Sequence, residues 1–366
     1  MIDNDIDLLD DLDDMDWDDS SNKTREFTVY QHPDPMKEYS DAVFKSTYRL
    51  TKQSAEELAL IIGPMLPPPP ERQGRRPIPV IMKLLITLQY LAGGNFQQTT
   101  ALMHGYCQTS VSNAIAQVVR AIASLAPEYI KFPGPNERVK VATGFYEMIT
   151  KRYPNAKAFP RVIGCVDGTQ IQMLAKGLNH RENFRNRKGV VSLNVQAICD
   201  HELNFTNLVC RWQGSAHDAR VFKNCSLYGP FERGEIDGWL LGDSGYFNAP
   251  YLLTPFLDPR TPAQRAYQFA HVQTRNSIER AFGILKRRFQ VIGPDGGMIR
   301  LDINNGTSLA AITSCFVLHN FLRKRHDFFE RDIEAPALSL GAGPIIRDER
   351  TDGADIRDQV VAAYFS

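Results

Sequence analysis

Residues 161–173 read RVIGCVDGTQIQM, and the fold is decided there. Val162, Ile163, Cys165 and Val166 form an apolar, strand-forming run that ends on a carboxylate, Asp167. Burying that charge beside so much hydrophobic surface is costly unless it is paired or bound to a metal. Gly168 lets the backbone turn and leaves room for another group, and Thr169 and Gln170 return the chain to a strand.

Downstream, Val190–Asp200 and Asn204–Trp212 read as two more strands, rich in Val, Ile and Cys. His217–Asn224 reads as a helix, Trp239–Asp243 as a short buried strand, and Asn276–Phe289 as an amphipathic helix with Ile278, Phe282, Leu285 and Phe289 on one stripe. Thr313–Lys324 is the last helix expected. Three strands, a helix, a strand and further helices make an α/β pattern in which a hairpin-connected sheet later gains parallel partners. That order matches an RNase H-like domain, a mixed sheet with flanking helices, over residues 161–330. Residues 331–366, rich in Pro, Gly, Asp and Arg, read as a loosely held C-terminal tail.

Upstream the pattern is helical. Asp41–Ile62 has helical spacing, with Thr51 or Ser54 as a cap, and the Pro-rich stretch Gly63–Pro70 ends it as a stiff spacer ahead of Arg72, Arg75 and Arg76. Between Gln97 and Ile115, Ala101, Gly105, Val111 and Ile115 have the spacing of two helices crossing tightly at a glycine turn. Asn113 and Gln117 would then face DNA from the second helix. An ordinary helical hairpin with solvated polar residues fits the same spacing. Residues 40–130 are thus expected to be an all-helical, helix-turn-helix-like domain, joined to the sheet by a helical linker at 131–160.

The formal net charge of zero hides an asymmetry: ten of the 42 acidic residues are aspartates between residues 3 and 19, leaving 32 against 42 basic residues in the rest. The body is therefore basic, which suits a polyanionic partner. The acidic head, residues 1–25, cannot bury enough apolar surface to fold alone and is expected to be disordered. A solubilising tail, an interaction segment and an internal DNA mimic all fit its composition. Six scattered cysteines with no C-x-x-C pair give neither a zinc module nor a disulfide framework. The longest apolar run, Val80–Ala92, is too short to span a bilayer, and the acidic start is no secretory signal, so an intracellular protein without a membrane partner is expected.

Asp243 repeats the design of Asp167: Trp239, Leu240 and Leu241 lead to a carboxylate flanked by Gly242 and Gly245. Two carboxylates at strand ends of one sheet can converge on one edge. Glu279 supplies a third from a helix, beside the buried stripe, with Gly283 one turn on. Like charges brought this close are sustained by hard divalent cations, and an all-carboxylate set favours two Mg²⁺ (or Mn²⁺) ions over zinc. Arg185, Arg187, Lys188, Lys286, Arg287 and Arg288 fit phosphate contacts, or else solvated faces. His217 and Asp218 fit either of two roles, shaping the active site from the helix after the third strand or serving as a packed histidine and a helix-capping aspartate, and the second is the expectation.

GCVDGT at 164–169, FRNRKG at 184–189, GSAHDARVF at 214–222, GDSGY at 242–246, RNSIERAFGILKRRF at 275–289 and LHNFL at 318–322 together resemble the DDE endonuclease domain of the PIF/Harbinger transposases and the nucleases derived from them. The resemblance covers roughly residues 45–325. It implies a catalytic triad of Asp167, Asp243 and Glu279 that cuts double-stranded DNA at terminal inverted repeats and joins the 3′-hydroxyl to target DNA. It also implies a nuclear location, a Myb- or SANT-like partner protein and a homo-oligomer. A domesticated, non-cutting DNA-binding scaffold is the alternative.

Overall fold

The computed structural model describes residues 34–68, 77–94, 96–174, 181–293, 298–301, 306–329 and 352–366. The acidic head and Arg72, Arg75 and Arg76 lie outside these residues.

Five strands form one mixed sheet: β1 (Val162–Gln172), β2 (Ser192–Cys199), β3 (Phe205–Gln213), β4 (Trp239–Leu241) and β5 (Leu252–Leu253), in the order β3-β2-β1-β4-β5. β1 with β2 and β2 with β3 are antiparallel, whereas β1 with β4 and β4 with β5 are parallel. Every residue of β2, the inner hairpin strand, is buried. β4 pairs with β1 only from Val162 to Cys165, while β1 runs on to Gln172. A notch therefore opens beside Asp167, where β4 ends and Asp243 follows.

Helices cover both faces. On one lies the 27-residue helix α8 (Pro262–Arg288), about 40 Å long at 1.5 Å per residue. Thr261 and Gln264 close a reciprocal capping box at its start. Its Ile278, Ala281, Phe282 and Leu285 share a core with Cys165, Val195 and Ala197. On the other face Val221 and Phe222 of the short helix α7 (Asp218–Lys223) pack with Val166, Ile198, Leu240 and Tyr246.

The helices before the sheet are α1 (Asp41–Tyr48), α2 (Lys52–Ile62), α3 (Val80–Gly93), α4 (Gln97–His104), α5 (Gln108–Ala123) and α6 (Pro135–Arg152), accompanied by single-turn helices. They join the α8 core directly, through α9 (Thr307–Lys324). Ser314 Oγ of α9 donates to Val119 O at 2.7 Å. Asp327, just past α9, accepts from Thr51 N (2.8 Å), Thr51 Oγ1 (3.0 Å) and Ser54 Oγ (2.8 Å) and pairs with Lys45 (2.8 Å).

Three sequence expectations change. The helix expected over Asp41–Ile62 is two helices, broken where Arg49 takes a left-handed φ of 67°. α8 begins fourteen residues before Asn276, because polar residues are buried in its first half: His271 bonds Leu253 O at 3.1 Å and Thr274 donates to Ala270 O at 2.7 Å. Part of the C-terminal tail is held firmly: α10 (Asp352–Tyr364) leads to Phe365, 2% exposed, with its ring 4.9 Å from that of Phe159 and 5.5 Å from that of Tyr267. No helix among the described residues is long and apolar enough to cross a membrane.

Candidate active site

β1 carries Asp167 to the notch, where its Oδ1 accepts the Gly168 amide at 2.8 Å. Asp243 sits two residues past β4 and accepts the Gly245 amide at 2.9 Å, a tight turn that keeps its carboxylate at the strand end. Glu279 comes from the middle of α8. The residue that joins Asp167 to Glu279 is Arg275, one turn before Glu279 and 5% exposed. Its Nη1 donates to Asp167 Oδ2 at 2.9 Å, across 108 residues of chain, and its Nη2 donates to Glu279 Oε1. The side chains of Asp167 and Glu279 are only 18% and 13% exposed, so this bridge is largely withdrawn from water.

The electrostatics follow from that crowding. Burial pushes the Asp167 carboxyl up to about 7; the Arg275 charge opposes the rise, and the charges of Asp243 and Asp218 add to it. Burial likewise raises Glu279, against Arg275 and with Asp243. Asp218 is raised by burial, against its bond from Asn194 and with Asp243. Asp167, Asp218 and Glu279 thus each feel the charge of Asp243, and a single buried guanidinium lies between Asp167 and Glu279. Among the described residues no three His, Cys, Asp or Glu side chains stand around one point closely enough to hold a metal ion as placed. The chemistry of the donor set nevertheless suits a hard cation, since it is entirely oxygen.

Asp218 departs from its expected role. His217 occupies the cap position without a capping bond, and Asp218, the first residue of α7, turns inward to accept Asn194 Nδ2 at 2.8 Å. His217 is exposed rather than packed, with Nδ1 3.2 Å from Arg187 Nη2.

The expected phosphate contacts separate into two kinds. Arg185, Arg187 and Lys188 are exposed on the β1–β2 connection; Arg185 pairs with Glu182 (2.7 Å) and donates to Gly189 O (2.7 Å). Lys286 is half-buried two turns beyond Glu279, its Nζ 3.4 Å from Gln170 O, and burial lowers its pKa to about 8 against the pull of Asp167. Arg287 is half-buried. Arg288 is not a surface cation at all: it is 2% exposed and donates to Asp327 O at 3.2 Å, because the helix turns it into the core. In the helical region Asn113 is exposed, and Gln117, half-buried, accepts Lys83 Nζ at 2.9 Å.

Sequence reasoning missed Arg275, Asn194 and Tyr246, whose hydroxyl donates to Gln196 Oε1 at 3.1 Å beside the acids. Arg275 alone had a readable signal, its i,i+4 spacing to Glu279.

Residues 166–320 match the model of a family described as DDE superfamily endonuclease. The chain is 31% identical over 335 residues to a Bos taurus protein named Putative nuclease HARBI1, covering 90% of this chain and 93% of the other. The Homo sapiens protein of the same name is 30% identical over 286 residues, 78% of each chain. An Arabidopsis thaliana protein named Antagonist of like heterochromatin protein 1 is 23% identical over 313 residues, 80% of this chain and 76% of the other. No solved structure matches.

Proposed function

Because the chain belongs to the DDE superfamily endonucleases, the group that includes HARBI1, we propose that it is a metal-dependent DNA endonuclease, a PIF/Harbinger transposase or a nuclease derived from one. The observation that supports this most is the meeting of Asp167 and Glu279 on one buried guanidinium, with Asp243 at the end of the neighbouring strand. The sheet order, two antiparallel pairings followed by two parallel ones, fits an RNase H-like domain with the acids at its strand ends.

Asp167, Asp243 and Glu279 would hold two Mg²⁺ or Mn²⁺ ions. When bound, these supply an activated water or 3′-hydroxyl and a stabilised leaving oxygen for in-line phosphoryl transfer. The chain's own contribution is placement and charge. With its pKa near 7, Asp167 is only partly ionised at neutral pH, and ligation requires the ionised form, so cation binding releases a proton and strengthens as pH rises. Arg275 keeps Asp167 and Glu279 together until a cation takes over that role. Lys286 and the exposed Arg185, Arg187 and Lys188 supply positive charge for the flanking phosphates. Asn113 and Gln117 of α5 contact the terminal inverted repeats, a homo-oligomer pairs two ends, and a Myb- or SANT-like protein assists in the nucleus.

A nicking assay on DNA carrying candidate element ends, with Mn²⁺ or Mg²⁺ and the partner protein, tests this. Asp167→Asn, Asp243→Asn and Glu279→Gln should each lose roughly 10²-fold or more, the loss expected when one charge-stabilising group is removed. A variant that nicks at the wild-type rate removes its residue from the site. A second reading, a non-cutting DNA-binding scaffold, is favoured by Arg275 already balancing two of the acids, which gives them a structural use. Absence of nicking in the wild-type protein, with DNA binding intact, would select it.

A further inference from the structure

Gly144 of α6 and Gly283 of α8 both lie inside helices, where glycine is a poorer helix former than any residue but proline. Three circumstances justify one there: a left-handed cap, a neighbour packed too closely for a Cβ, or a ligand that must reach the backbone. Gly144 has the second, since a Cβ on it would stand 2.2 Å from the His201 ring. Gly283 has neither of the first two. Its φ is not positive, in contrast to Gly94 and Gly105, which end α3 and α4 at 63° and 70°. Outside its own helix backbone, a Cβ on Gly283 would have no neighbour within 4 Å among the described residues. The third circumstance remains.

The surroundings say what kind of ligand it is. Residues three and four apart are neighbours on a helix surface, so Gly283 is flanked by Glu279 on one side and by Lys286 and Arg287 on the other. A helical side chain leans back over the turn before it, which carries Arg287 toward Gly283. Nε and Nη2 of Arg287 are sheltered from solvent and have no hydrogen-bond partner among the described residues. Polar atoms so placed are nearly always paired, so a guanidinium in this state points to an anion that belongs beside it. Four residues of helix span about 6 Å, so an anion lying on Gly283 is one turn from Glu279. A phosphodiester backbone has the required form: it is narrow, it presents charged oxygens, and it continues past the bond that is cut.

We propose that Gly283 is a seat for the DNA backbone: a phosphate flanking the scissile bond lies directly against α8 there, because no side chain intervenes, and accepts hydrogen bonds from Arg287. The proposal deepens the endonuclease reading and rests on DNA being the substrate. It accounts for a helix-weakening residue in the helix that carries Glu279. The seat touches phosphate and no base, so it holds any sequence alike.

Binding of a fluorescein-labelled DNA duplex of arbitrary sequence to the full chain, read by fluorescence anisotropy at low salt without divalent ions, tests it, with a thermal melt of each variant. Gly283→Ala and Gly283→Leu put good helix formers into open space, so both should fold, and the alanine variant should melt about 2–4 °C higher than the wild type. Gly283→Leu changes no charge but covers the seat, and should bind the duplex roughly tenfold more weakly, the worth of one charge-assisted contact. Arg287→Ala should weaken binding comparably and cost little more in the Gly283→Leu background, because both remove the same contact. Wild-type affinity in Gly283→Leu, losses that simply add in the double variant, or no duplex binding by the wild type overturns the proposal. So does a Gly283→Ala protein that melts below the wild type, since the space would then be packed. Nicking assays separate the seat from the broader reading. Weakened binding in Gly283→Leu, in a chain whose wild type binds DNA without nicking it, retains the seat and rejects the nuclease; wild-type nicking with full affinity in Gly283→Leu does the reverse.

Discussion

Replacing Arg275 by alanine should destabilise the metal-free protein more than any other single change at the notch. Arg275 is 5% exposed, and the side chains it joins are 18% and 13% exposed, so truncation strands two carboxylates in a poorly hydrated site. Breaking a buried pair from one side costs about 3–5 kcal/mol. In a domain of this size each kcal/mol shifts Tm by roughly 2–4 °C, so a fall of about 6–20 °C is expected at pH 8 without divalent ions. The deficit should shrink as pH falls through about 7, where protonation of Asp167 removes one of the charges that Arg275 balances. Mg²⁺ at a hundredfold excess over its Kd returns about 2.7 kcal/mol, and at equal Mg²⁺ the variant should gain more than the wild type, where the cation must first displace the guanidinium and so binds more weakly. Differential scanning fluorimetry at pH 5 and pH 8, with and without Mg²⁺, reads all three effects. A variant that melts with the wild type in the absence of metal, or that responds no more to Mg²⁺, would refute the view that the guanidinium stands in for a cation.

Two acids should give opposite pH slopes. The folded pKa of Asp167, about 7, lies above its ordinary 3.8, so the stability linked to its protonation is whole below about pH 4 and lost as pH rises through 7. Asp167→Asn should flatten urea-measured stability over that window, and an unchanged slope would count against the burial argument. For Asp327, burial pushes the pKa up, but the bonds from Lys45, Thr51 and Ser54 outweigh it and hold the pKa below 3.8. Its contribution is whole above that value and lost in acid, so Asp327→Ala should cost about 2–4 kcal/mol at pH 7 through unpaired buried partners. Amide exchange should quicken first in Lys52–Ile62; unaltered exchange there would disprove the clamp.

The strand ends were legible because each advertises itself locally. An apolar run closing on an aspartate beside glycine reads the same at Val166-Asp167-Gly168 and at Gly242-Asp243, and the α8 stripe around Glu279 has a strong helical period. The lost parts depend on partners far away in sequence. Asp218 looks like a helix cap until Asn194, 24 residues earlier, draws it inward. Arg288 looks like surface charge in KRR until Asp327, 39 residues later, takes it into the core. β5, at two residues, is too short to have a period, and the first half of α8 buries polar side chains whose bonds no pattern reveals.

The Asp327 clamp has a consequence for biosynthesis. Thr51 and Asp327 are 276 residues apart, and a chain made from its N-terminus at about 5–20 residues per second needs tens of seconds to bring the second to the first. α9, against which α5 packs, emerges equally late. Throughout that interval the wholly buried and mostly apolar stretch of α3 from Leu84 to Ala92 lacks its final covering. The ribosome-bound nascent chain is therefore a natural client for a holding chaperone, and slowing translation past residue 123 should increase aggregation instead of helping the N-terminal helices to settle.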